Sequence, residues 1–212
     1  FAAVYQSTVT TLAAGVNHSL AICTDGTLIG WGWNDDGQAN VPLGTFTAIA
    51  GGGYHSLAVR SNGALVGWGS NSQGQLDVPA GTFAAVAAGA LHSLGLHTDG
   101  TLAGWGSNAH HQADVPAGTF TEVAARANYS LGLRTDGTLI GWGTNNYQLT
   151  EVPAGTFVAV SAGEYHALAL HARTEYDDLV VNGNGVTDVA SWLNRNITVS
   201  GTTTIQSTMY LV

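Results

Sequence analysis

The chain contains no lysine. Its 212 residues carry five basic side chains, all arginine (Arg60, Arg126, Arg134, Arg173, Arg195), against fourteen Asp and Glu, for a formal net charge of -9. That balance excludes nucleic acid and anionic membrane surfaces as partners, because both are held through clustered positive charge. Charge of either sign is sparse, at 9% of residues, so the surface is built from Thr, Ser, Asn and Gly. Such a composition points to a secreted or cell-surface bacterial protein. No apolar run approaches the ~18 residues of a membrane-spanning helix, and no signal-peptide pattern stands at the start. A start at Phe1 rather than Met is what a removed leader, or a piece of a longer protein, would give. With Cys23 as the single cysteine, no intrachain disulfide can form.

What the chain has in quantity is repetition. "HSLAICTDGTLIGWG", "HSLAVRSNGALVGWG", "HSLGLHTDGTLAGWG" and "YSLGLRTDGTLIGWG" follow one another in phase, with Trp31, Trp68, Trp105 and Trp142 each 37 residues apart. His18, His55, His92, Tyr129 and His166 keep the same interval, as do Pro42, Pro79, Pro116 and Pro153. A period of this size marks a repeat architecture, in which each unit needs neighbours to cover its apolar faces. The units run roughly 8–44, 45–81, 82–118 and 119–155, and a fifth begins at Thr156.

Within a unit, "TFTAIA", "HSLAV" and "ALVGWG" read as three short strands bounded by Gly, Asn, Asp or Pro. Asp25-Gly26, Asn62-Gly63, Asp99-Gly100 and Asp136-Gly137 fall between the second and third strands, where a hairpin turn needs a residue that accepts positive φ. Three strands and their turns fill the period and leave no room for a helix. The expected fold is all-β: a complete or partial β-propeller of three-stranded antiparallel blades, with a β-rich tail outside the repeat. Residues 1–7 are expected to form an N-terminal strand pairing with the last blade, 8–185 the propeller domain, and 186–212 a connector to other chains.

The stretch "GGGYHSLAVRSNGALVGWGSNSQGQLDVP" resembles the regulator of chromosome condensation repeat family. It is closer still to its short-repeat bacterial branch, where units read Gly-x-aromatic-His-Ser-Leu-Ala, Trp-Gly, Asn-x-x-Gly-Gln and Val-Pro. The resemblance covers about residues 8–171. It implies a propeller, and for the branch that includes a β-lactamase-inhibiting member it implies aromatics on the loops of one face as the binding residues. Trp33, Tyr54, Leu91, Tyr147 and Tyr165 stand at matching loop positions.

The repeated polar residues have structural roles on this reading. Strand alternation puts His55 and Ser56 on opposite faces, which rules out a catalytic dyad from adjacent residues; the histidines are expected to be hydrogen-bonded between blades. Equivalent histidines of successive blades stand too far apart to share one metal ion. His110-His111 has no carboxylate or cysteine at a useful spacing, and "VVNGNGVTDVAS" lacks two of the ligands of a calcium loop, so no metal and no cofactor is expected. Cys23 occupies the slot of Arg60, His97, Arg134 and His171, which predicts partial exposure. "DDLVVNGNG" is expected to complete the fifth blade. The function that follows is a non-enzymatic extracellular scaffold contacting other subunits of an assembly. Its alternative is a protein- or glycan-recognition module that binds through the loop face.

Overall fold

A computed structural model describes residues 8–172 and the backbone of strand 178–182. The segments 1–7 and 186–212, expected to be a strand and a connector, lie outside the described residues, as does most of the calcium-like stretch.

The strands form five three-stranded antiparallel sheets in chain order. Blade 1 is β1 (Val9–Ala14), β2 (His18–Cys23) and β3 (Leu28–Gly32); blade 2 is β4 (Phe46–Gly51), β5 (His55–Arg60) and β6 (Leu65–Gly69). Blade 3 is β7 (Phe83–Ala88), β8 (His92–His97) and β9 (Leu102–Gly106); blade 4 is β10 (Phe120–Arg126), β11 (Tyr129–Arg134) and β12 (Leu139–Gly143). Blade 5 is β13 (Phe157–Ala162), β14 (Ala167–His171) and β15 (Asp178–Asn182), so the degenerate "DDLVVN" does supply its third strand. The described residues contain no α-helix, only a 3-10 turn at Asn146–Gln148.

The hairpin turns differ from a two-residue loop. The Cys23 carbonyl accepts from Gly26 N–H and the Cys23 N–H donates to Thr27 O, a turn closed by a bulge. Only the glycine takes positive φ, +81° at Gly26 and +82° at Gly63. The preceding Asp25 accepts from both the backbone and the hydroxyl of Thr27, which lowers its pKa. Each first strand carries one bulge, as between Phe46 and Ala48, that leaves Thr47 exposed.

The central strands of the interior blades are buried on both faces, because each of these blades is packed between two others. Leu57 and Val59 of β5 pack forward on Phe83, Val86 and Trp105 of blade 3. Leu20 and Ile22 do the same on blade 2, Leu94 and Leu96 on blade 4, and Leu131 and Leu133 on blade 5. Blade 2 shows the pattern: a forward face bearing His55, Leu57 and Val59, and a rear face bearing Ser56, Trp68 and Phe46 of its first strand. The core is the series of these interblade seams.

Cys23 is a correction to the sequence reading: it is 2% exposed. In the other blades the same slot caps a phenylalanine. Arg60 lies over Phe46 and Arg134 over Phe120, each at 5.1 Å, while His97 stacks on Phe83. In blade 1 the paired residue is Val9, which offers no ring for a cation, and the slot holds a small apolar thiol instead.

Candidate functional site

The periodic His and Ser residues come together, but between blades. His18 Nε2 lies 2.8 Å from Ser56 Oγ, His55 Nε2 2.9 Å from Ser93 Oγ, and His92 Nε2 2.9 Å from Ser130 Oγ. Each serine donates its proton to a loop carbonyl of the preceding blade, that of Gln38, Gln75 or Gln112. The same carbonyl accepts the indole N–H of Trp68, Trp105 or Trp142. Since the hydroxyl proton is already committed, the imidazole must donate from Nε2, which leaves Nδ1 as a bare lone pair. Nδ1 of His18, His55 and His92 is indeed buried without a partner. Desolvation pulls the pKa of His55 and His92 down to about 4, so both rings are neutral.

A histidine that activates a serine must take the serine's proton. Here the proton runs the other way, and Ser56, Ser93 and Ser130 are wholly buried. The unit is a structural relay that zips consecutive blades. Its glutamine was not assigned a role by sequence reasoning. Gln38, Gln75 and Gln112 are fully buried, and their side-chain Oε1 accepts the N–H of Asp36, Gln73 or His110, holding the loop closed. Asn34, Asn71, Asn108 and Asn145 were likewise missed; each accepts from a backbone N–H five residues on and donates to the side chain six residues on. The only signal for either was recurrence at the repeat period.

The His110-His111 pair also differs from expectation, because a carboxylate does reach it: His111 Nδ1 is 2.7 Å from Asp114 Oδ2 on the exposed surface. His111 takes φ 62°, where the preceding units have Gly37 and Gly74. No group of three or more metal-ligating side chains exists among the described residues. The cleft between blades 4 and 5, lined by Leu131, Leu139, Leu149, Val160 and Ala169, has a volume of about 20 Å³, room for a water and not a substrate.

The loops that precede each His strand and those that follow each Trp-Gly lie at one end of the blades, since Trp33 N–H donates to Asn17 O and Ser70 N–H to Tyr54 O. Four of the five loop residues singled out from sequence meet there as two pairs. Trp33 and Tyr54 stand edge to face with ring centroids 5.5 Å apart, bridging blades 1 and 2. Tyr147 and Tyr165 do the same at 5.6 Å, bridging blades 4 and 5. All four are exposed. Leu91 is half-buried and joins neither pair. Tyr147 is held outward by a left-handed backbone, φ 61°. The Tyr165 phenol has its pKa raised by its hydrogen bond to Glu164.

The periodic polar residues of this all-β repeat propeller are used in blade-to-blade bonding, and its exposed aromatics stand on the loops of one end. Residues 9–38, 46–75 and 83–112 match the regulator of chromosome condensation (RCC1) repeat, so the first three blades are repeats of that family. No curated protein sequence matches it significantly. Among solved structures, human WBSCR16 superposes with a TM-score of 0.73 at 21% identity, over 85% of this chain and 63% of that one. The ectodomain of the moss Physcomitrella patens receptor kinase CR4 gives 0.70 at 24%, over 88% and 53%. Yeast RCC1 (Prp20), in its complex with Kap60, gives 0.66 at 19%, over 89% and 56%. These likenesses show the fold, and the chain spans between 53% and 63% of the length of these structures.

Proposed function

We propose that this protein is a non-enzymatic scaffold that binds other proteins through its loop face, with Trp33, Tyr54, Tyr147 and Tyr165 as the contact residues and Leu91 between them. The observation that carries this reading is the pairing of the aromatics. Each pair stiffens two rings that would otherwise pay side-chain entropy on binding, and rigid exposed aromatics are the usual anchors of protein interfaces. A glycan is the less favoured ligand, because no enclosed pocket accompanies the rings among the described residues. Yeast RCC1 (Prp20), a protein of similar fold, is seen bound to Kap60. A lysine-free surface of Thr, Ser, Asn and Gly supports a secreted or cell-surface location.

Replacing Trp33, Tyr54, Tyr147 and Tyr165 together with alanine should abolish capture of the partner from the producing cells' medium while leaving the melting temperature within a few degrees. Retained capture by the folded variant would refute the loop face as the binding surface.

The exposed rear face of blade 1 favours a second reading, in which the scaffold is one component of a larger assembly. Leu12 is 63% exposed where Ile49, Val86, Val123 and Val160 are buried. Deleting residues 195–212 and weighing the product in solution tests it: an unchanged monomeric mass would refute the tail as a connector.

A further inference from the structure

The kind of partner follows from how charge is distributed between the two ends of the blades. At the turn end, Asp25, Asp99 and Asp136 are each tied to a threonine, and Arg60 and Arg134 lie at the same end, bonded to the carbonyls of Leu43 and Ala117. That end is nearly balanced. The loops of the other end carry Asp35, Asp36, Asp77, Asp114, Glu151 and Glu164, all exposed. The one arginine at that end among the described residues is Arg126, whose guanidinium is turned to the Ala14 carbonyl at 3.4 Å. No lysine exists to offset the carboxylates.

The carboxylates are not equivalent. Asp77, Asp114 and Glu151 accept from Asn71, Asn108 and Asn145 and so serve the loops themselves. The carboxylates of Asp35 and Asp36 make no hydrogen bond among the described residues, although they stand two and three residues from Trp33. Glu164 adjoins Tyr165 in the other pair and bonds its phenol. Each aromatic pair therefore has an anionic flank, and the face of an aromatic ring itself attracts cations. Rings and carboxylates act in the same direction: a guanidinium or ammonium laid on Trp33 or Tyr165 meets a π face and a carboxylate together, and long Lys or Arg stems cover the rings with apolar contact. An acidic partner would meet repulsion at both pairs.

We propose that the loop face recognises a basic protein segment, with Lys or Arg side chains seated on the Trp33–Tyr54 and Tyr147–Tyr165 pairs and paired to Asp35, Asp36 and Glu164. The inference rests on the loop-face reading and narrows it to partners of one charge.

A displayed random-peptide library selected on the full-length protein, with counter-selection on the variant lacking the four aromatics, tests both layers separately. Selected peptides should be enriched in Arg and Lys next to apolar residues. Their affinity should fall about tenfold on Asp35→Asn/Asp36→Asn or Glu164→Gln, roughly the loss of one charge-assisted contact. Asp25→Asn/Asp99→Asn, at the opposite end, should leave it unchanged and controls for net charge. Enrichment of neutral or acidic peptides overturns the basic partner while preserving the loop face, as does binding that ignores the carboxylate changes or weakens equally with the control variant. If no peptide depends on the aromatics, the loop-face reading and the inference both fall.

Discussion

At the scale of single residues, the buried histidine relay makes stability depend on pH in a defined direction. His55 and His92 have folded-state pKa values near 4, against about 6.5 in the unfolded chain. Burial depresses the folded value, so the stabilisation is fully present above pH 6.5. It is lost as pH falls toward 4, while the unfolded chain takes up protons that the native rings refuse. Urea midpoints should hold steady from pH 8 to 7 and decline steeply between pH 6.5 and 4. A flat profile across that window would contradict neutral donor imidazoles. Gly52 belongs to the same device: a Cβ there would run into the His55 ring, which lies against the glycine backbone. Ser93→Ala leaves the His55 Nε2–H without its acceptor and should cost about 1–3 kcal/mol in denaturant unfolding.

At the scale of elements, the seam between blades 4 and 5 is written in different residues from the other three, and the differences fit one another. Tyr129 replaces the histidine and reaches past the serine position, where its hydroxyl lies within bonding distance of the Gly163 and His166 carbonyls at 2.7 and 2.8 Å. Burial pushes its phenol pKa well above the usual value. The serine position holds Ala167 and the glutamine position Leu149, and both join an apolar cluster around Tyr129. Arg126 stands where the other units have glycine, since no imidazole of its own unit lies over it. These changes are mutually dependent and predict coupling. At the blade 3–4 seam, His92→Tyr and Ser130→Ala should each destabilise, but the double variant should be less destabilised than their sum by about 0.5–3 kcal/mol. Strict additivity in a double-mutant cycle would show that the substitutions at the natural seam are independent.

At the scale of the whole molecule, the blades are a chain of seams in which an interior blade has two neighbours. The first has one among the described residues, and its rear face shows what the missing contact leaves. Ser19 and Trp31 make no side-chain hydrogen bond among the described residues, whereas their counterparts in blades 2, 3 and 4 share a glutamine carbonyl. Trp31 and Leu12 are exposed where Trp105 and Val86 are buried. Leu12→Asp should therefore change thermal stability by about 0.5 kcal/mol or less, as at an ordinary surface site. The same change at Ile49, one repeat later, places a charge in a seam and should unfold the protein or cost several kcal/mol. Equal losses at both positions would mean that the face of blade 1 is covered in solution.

The sequence by itself determined the architecture. A 37-residue period with strand-length apolar runs and Asp-Gly turns admits few folds other than a ring of small sheets, because hydrophobic alternation and turn geometry are local properties that recur whenever the words recur. The loop placement of Trp33, Tyr54, Tyr147 and Tyr165, the opposite faces of His55 and Ser56 and the third strand of blade 5 were legible for the same reason. Tertiary structure alone decided which residues meet across blades. His18 and Ser56 are 38 residues apart and Trp68 and Gln38 thirty, and nothing local distinguishes a glutamine whose carbonyl takes two donors from one on the surface. Cys23 was misread as part-exposed because its slot is defined by the residue opposite, Val9 instead of phenylalanine, on another strand. The pairing of Trp33 with Tyr54 and of Tyr147 with Tyr165 was equally hidden, since each pair joins loops of different blades and depends on how closely the seams bring those blades together.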